Sequence, residues 1–350
     1  ERRIPEIFTA AVREHVVIYP IWTCPGSGAP TSAAMGPPPP ATDPGWHIVN
    51  VGERWGAAPG QDPGYQPPRL DWEIAPTGGS THWLRCALQV PASWQGQSVH
   101  LALHWEGNRL DQVESIVYLN GAALAGLDWG HRTVQLPAEA HAQGGEILMR
   151  CAVAFPRPFG GAELQLRDEI IFKLGHSMQA MLGAVRALAA DAPERYQMAA
   201  ALERAYQALD LRAGWQSKQF ADSARAALRE LSIGQQSTNV GTQPLNRALV
   251  ASGHGHLDVA WLWPLWRTRQ KAAHTVATAL QLIERYPDYH FSMSQPQVYA
   301  YLKQDDPQLY ARLKARVNEG RVEPVGMMWV EPDCNLPAGE SLIRQLVHGR

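Results

Sequence analysis

The chain has 350 residues, a hydrophobic fraction of 45% and a formal net charge of -2. That length can bury two domain cores or three small ones, and the near-neutral charge leaves no broad basic field, which argues against nucleic acid and anionic membrane as main partners. Cys24, Cys86, Cys151 and Cys334 lie far apart with no C-x-x-C pair, so neither a thiolate zinc knuckle nor a disulfide framework is indicated, and a reducing, cytoplasmic compartment fits best.

No apolar run reaches the length of a membrane span and no charged-then-apolar leader opens the chain, so a soluble protein is expected. The first residue is Glu1, and Arg350 falls inside a predicted helix, so the chain reads as an N-terminal fragment.

Residues 1–45 are poorly patterned and contain Gly36-Pro37-Pro38-Pro39-Pro40, which cannot be helical; they read as an arm or linker. Residues 46–171 carry short apolar or alternating segments, Thr81–Val90, Ser98–Trp105, Ser115–Leu119, Arg132–Leu136 and Glu146–Phe155, separated by turn-formers such as Thr77-Gly78-Gly79-Ser80. This spacing predicts a β-sandwich domain. Asn120-Gly121 predicts a two-residue hairpin turn, because both residues tolerate positive φ. Trp22, Trp46, Trp55, Trp72, Trp83, Trp94, Trp105 and Trp129 make this half rich in aromatics that either fill a core or stack on sugars, and at alternating positions in a sandwich the core reading is the stronger.

Residues 172–245 predict a helical connector. Met178, Met181, Leu182, Val185 and Leu188, then Leu202, Tyr206 and Leu209, keep three-and-four spacing, and Gly234–Pro244 reads as a loop. From Asn246 the order is strand, helix, strand, helix, strand, helix. The expected strands are Arg247–Ser252, His290–Met293 and Arg321–Met328. The expected helices are Leu265–Arg285, Gln297–Lys303, Pro307–Asn318 and Gly339–Val347, with Asp306 capping the third of them and Gly320 past its end. Residues 246–350 therefore read as the first half of a parallel (β/α) barrel-like domain, whose working residues gather at the C-terminal ends of strands.

Two of those strand ends carry candidate ligands. His256 and Asp258, two apart, point to one side in extended chain. Alone they read better as a hydrogen-bonded turn pair, but Asp333 follows the third strand and aims at the same rim. One imidazole and two carboxylates suit Zn²⁺, with Co²⁺ or Mn²⁺ as alternatives. Glu331 and Glu340 are near but rank below Asp333, since a glutamate opening a helix is commonly a favourable first-turn charge.

The segments His254-Gly255-His256-Leu257-Asp258-Val259-Ala260-Trp261-Leu262-Trp263-Pro264 and Pro324–Ser341, with Trp329-Val330-Glu331-Pro332-Asp333-Cys334-Asn335 at its centre, resemble glycoside hydrolase family 38, the retaining, metal-dependent α-mannosidases. Val117-Tyr118-Leu119-Asn120-Gly121 and Gly126-Leu127-Asp128-Trp129-Gly130-His131-Arg132 resemble the N-terminal β domain of that family's cytosolic, vacuolar and bacterial branch. The resemblance implies that His256 and Asp258 ligate zinc, and that Asp333 both ligates it and attacks the anomeric carbon. It also implies that Trp261 packs against the mannose ring and that His254 stands behind the metal ligands without joining them.

A further histidine ligand and the acid/base carboxylate are expected after Arg350, so the chain alone is expected to be inactive. The expected partner is a mannose-containing oligosaccharide, with homo-oligomerisation left open. Two other readings remain: a polysaccharide deacetylase-like metal hydrolase, and a non-catalytic carbohydrate-binding protein that uses its tryptophans.

Overall fold

A computed structural model describes residues 3–18, 22–25, 47–48, 69–70, 80–105, 114–128, 130–153, 157–237 and 250–350. The proline run, the turn at 77–79 and residues 238–244 of the expected loop lie outside the described residues, as do the side chains of every tryptophan singled out in the N-terminal half except Trp94; residues 234–237, expected in that loop, instead continue a helix. In chain order the elements are α1 (Ile4–Ala11), β1 (Val12–Ile18), β2 (Trp22–Pro25), β3 (His47–Ile48), β4 (Arg69–Leu70), β5 (Ser80–Leu88), β6 (Val99–Trp105), β7 (Glu114–Leu119), β8 (Ala122–Leu127), β9 (Thr133–Gln135), α2 (Glu139–Gln143), β10 (Gly145–Val153) and β11 (Arg157–Arg167). Then come α3 (Glu169–Ala187), α4 (Pro193–Gln207), α5 (Lys218–Ser237), β12 (Gly253–Gly255), α6 (Leu265–Arg285), β13 (Phe291–Met293), α7 (Pro296–Asp305), α8 (Pro307–Asn318), β14 (Val322–Pro324) and α9 (Gly339–Gly349). They divide into two compact units, one of Glu1–His15, Ser93–His100 and Gln165–Val250, the other of the remainder.

The first unit is helical. Ile7, Ala10 and Ala11 of α1 are buried with Ile171, Leu174, Met178 and Met181 of α3, Ala201 and Ala205 of α4, and Phe220 of α5. The arm expected over residues 1–45 is thus corrected at Ile4–Ala11, whose apolar residues at Ile4, Ile7 and Ala11 keep helical spacing and pack into this core. Asp168 caps α3, its Oδ1 accepting from the N–H groups of Ile170 and Ile171 at 3.0 and 3.1 Å. Trp94 is buried in the same unit, with Nε1 donating to Glu14 at 2.6 Å.

In the second unit a six-stranded sheet runs β3-β2-β5-β10-β7-β8, its described pairs antiparallel. β7 and β8 form the expected hairpin, with Asn120 and Gly121 at φ of 49° and 81°, the two positive values that a type I′ turn requires. Cys86 and Cys151 are buried free thiols and Cys334 an exposed one.

The C-terminal part forms a separate three-stranded parallel sheet in the order β12-β13-β14. The helices match expectation closely, α6 and α8 residue for residue. Asp306 caps α8 by accepting from Leu309 N–H at 2.9 Å, and Gly320 beyond it has φ of 73°.

The strand expected over Arg247–Ser252 lies instead at Gly253–Gly255, with residues 247–249 outside the described part. The reason is steric. A Cβ at Gly253 would strike the Tyr289 hydroxyl and one at Gly255 would lie 2.7 Å from the Phe291 ring, so this strand needs glycine where aromatic rings of the next strand region overlie it.

One core joins the hairpin to the C-terminal part. Ile116, Tyr118, Ala123 and Leu148 from the six-stranded sheet are buried with Ala272, Val276, Ala279 and Leu280 of α6 and with Phe291, Val298, Leu309 and Val322. At the edge of this contact Arg312 donates to the Ala123 carbonyl, and Thr278 Oγ1 lies 3.3 Å from the Gly126 carbonyl.

Candidate functional site

The C-terminal ends of the three parallel strands lead into three loops: 256–263 after β12, Ser294–Gln295 after β13, and 325–338 after β14. Gln295 binds the loops to one another. Buried and held at a left-handed φ of 68°, it donates from Nε2 to the Leu257 carbonyl at 2.7 Å and accepts at Oε1 from the Glu331 N–H at 3.3 Å. A non-glycine residue in that region costs conformational energy, sustained here by two hydrogen bonds that no other residue type of its size would make.

The structure brings His256 and Asp258 together, Nε2 to Oδ1, at 3.2 Å. The other ring nitrogen, Nδ1, meets Glu331 Oε2 at 2.6 Å, and the second Glu331 oxygen accepts from Ser294 Oγ. Burial works against the charged imidazole, yet the Glu331 charge and hydrogen bond together with Asp258 outweigh it and hold the His256 pKa above its ordinary value.

Asp333 is exposed and directs Oδ1 to the Asn335 N–H at 2.8 Å. Among the described residues no three or more His, Cys, Asp or Glu side chains are grouped to hold a metal ion, so Asp333 does not join the pair in this structure. His254 lies on β12 and meets Ser292 of the neighbouring strand, Nδ1 to Oγ, at 3.2 Å.

In kind, the donors that do converge fit a divalent ion. An imidazole nitrogen and a carboxylate oxygen stand side by side, and the ring's opposite nitrogen is held by a second carboxylate, the support that fixes ring orientation in metal-binding histidines. Glu331 rather than Asp333 supplies that support. By sequence Glu331 ranks below Asp333 as a first-turn helix charge, but Glu331 lies in the loop before Gly339 and opens no helix, which leaves its carboxylate free to turn back to the histidine.

The loop from Asp258 to Trp263 is fixed by one buried hydroxyl. Thr268 Oγ1 donates to the Asp258 carbonyl and accepts from the Ala260 N–H and from Trp263 Nε1, each at 3.1 Å. Ala260 is held at φ of 74°, a backbone turn that its N–H bond to Thr268 secures. Trp261 is 66% exposed and meets Trp263 edge to face, ring centroids 5.3 Å apart and planes at 85°. An exposed, ring-supported indole on the loop that also carries His256 and Asp258 offers a face on which a sugar can stack.

Residues 247–350 match the family described as Glycosyl hydrolases family 38 N-terminal domain, and residues 66–176 match the one described as Alpha-mannosidase, jelly roll domain. The chain is 30% identical over 311 residues to alpha-mannosidase 2C1 of Homo sapiens, a match covering 82% of this chain and 28% of that protein. It is 27% identical over 297 residues to alpha-mannosidase G of Dictyostelium discoideum, covering 77% of this chain and 26% of the relative. Over 99 residues it is 38% identical to an alpha-mannosidase of Saccharomyces cerevisiae, covering 28% of this chain and 9% of that one. The matches to these relatives span less than a third of their length.

Proposed function

The chain belongs to glycosyl hydrolase family 38, and from that premise we propose that the protein is a retaining, metal-dependent α-mannosidase that cleaves terminal α-mannosyl linkages of oligosaccharides through a glycosyl-enzyme intermediate. His256, Asp258 and Asp333 would hold one divalent ion, zinc before cobalt. When bound, that ion supplies an electrophilic centre for the sugar's vicinal hydroxyls. Asp333 is the nucleophile, Trp261 the stacking wall, and His254 supports the strand beneath the ligands. The three parallel strands are the first of a larger barrel-like sheet. No helix among the described residues is long and apolar enough to cross a membrane, and a cytoplasmic setting is part of the same proposal.

The observation that supports this reading best is His256 held between Asp258 and Glu331, with the exposed Trp261 on the same loop as His256 and Asp258. Zinc titration by calorimetry, followed by methyl α-mannoside, tests it. Asp258→Ala is expected to lose zinc and mannoside affinity together. Mannoside binding that survives both chelation and Asp258→Ala would favour a non-catalytic carbohydrate-binding protein instead.

A further inference from the structure

Glu114 opens β7, in the segment matched to a jelly roll domain, yet its carboxylate reaches α6. One oxygen pairs with Lys271 Nζ and the other lies 3.3 Å from Arg267. Lys271 is largely buried, and its ammonium sits 4.4 Å from the centroid of the Trp263 ring. Trp263 is thus gripped twice, on its face by Lys271 and at its N–H by Thr268, and its edge-to-face contact carries that constraint to Trp261.

We propose that Glu114, acting through Lys271 and Trp263, is a positioning residue for the Trp261 wall, so that a strand of the jelly roll segment sets the orientation of the sugar-stacking ring. An ammonium left to itself prefers water over an indole face, and a cation–π contact survives only where something holds the charge in place. Glu114 does so through its ion pair with Lys271. An exposed indole, in turn, gains affinity for a flat sugar face when its rotamer is fixed beforehand, because less ordering remains to be done on binding. The proposal rests on the reading of Trp261 as the sugar wall, but the linkage from Glu114 to the ring can be read without any sugar.

Fluorine NMR of the whole chain labelled with fluorotryptophan provides the test, with the Trp261 and Trp263 signals assigned through Trp261→Phe and Trp263→Phe. Glu114→Gln and Lys271→Met are each expected to shift the Trp263 signal and broaden that of Trp261 while the thermal transition stays cooperative. Thr268→Val should do the same and Thr268→Ser should restore the original spectrum. Methyl α-mannoside, added with zinc, should bind on the order of tenfold more weakly to Glu114→Gln. Unchanged Trp261 and Trp263 signals in both Glu114→Gln and Lys271→Met overturn the proposal. A Trp261 signal that moves in Glu114→Gln but never responds to mannoside leaves the positioning linkage standing and overturns the sugar reading beneath it.

Discussion

Gly126 lies so close to His274 that a Cβ at position 126 would stand 2.6 Å from both the imidazole Cδ2 and the carbonyl oxygen of that histidine, and 2.5 Å from Thr278 Oγ1. Neither the backbone of α6 nor that of β8 can yield there without opening the core between them. Gly126→Ala is therefore expected to destabilise the fold by about 1–3 kcal/mol through overpacking. A lower urea midpoint with an unchanged slope checks this, and a midpoint equal to that of the unsubstituted chain would refute it.

Leu280 of α6 is fully buried among residues of both the hairpin and the parallel sheet. Leu280→Ala should cost about 2–5 kcal/mol. Because the cavity opens in a core that both parts share, the loss should appear in one cooperative transition. Two separated unfolding steps in the variant would show that the parts are less coupled than the packing indicates.

Glu169 provides a pH dependence. Its Oε1 accepts from Ser98 Oγ at 2.7 Å and Arg167 Nε at 2.9 Å, and lies 3.0 Å from His100 Nε2. Burial pushes the carboxyl pKa up, but these contacts outweigh it and hold it well below the ordinary carboxylate range. A folded-state pKa depressed in this way stabilises the protein above the unfolded glutamate pKa of about 4.3, and the benefit fades as pH falls toward the folded value. Melting temperature should stay level on this account down to about pH 5 and decline below it. Glu169→Gln should melt lower at neutral pH and show a shallower acid decline; an identical decline in both would count against it.

Glu331→Gln tests the support behind His256. If Glu331 orients the ring for a metal, its loss should weaken zinc binding on the order of tenfold, measured by competition with a chromogenic chelator. Equal affinity in the two proteins would reduce the Glu331 contact to a surface ion pair.

What could be read from the sequence was local. Pro264 and Tyr286-Pro287 bracket α6, and Asp306 with Gly320 bracket α8, so both helices were legible to the residue. Asn120-Gly121 declared its turn in the same way. His256 and Asp258 were legible as a pair from their spacing of two, although both stand in the loop after β12 rather than on the strand. Thr268, Ser294 and Gln295 were not, since their partners are backbone or side-chain atoms up to 38 residues distant, and a lone Thr, Ser or Gln carries no periodic mark. The place of β12 depended on where Tyr289 and Phe291 rest, which no window around Gly253 contains. The helix at Ile4–Ala11 was readable from its three-and-four spacing, a signal masked by its shortness and by the unpatterned residues after it.

The core shared by Ile116, Tyr118, Leu148, Val276 and Leu280 also limits how the protein can be divided. Residues 66–176 and 247–350 are two modules on paper, each with its own family match. A cut between them would leave Val276 and Leu280 facing water on one piece and Ile116 and Leu148 on the other. Either half expressed alone should therefore collect in the insoluble fraction, and mixing the two during refolding should return both to solution.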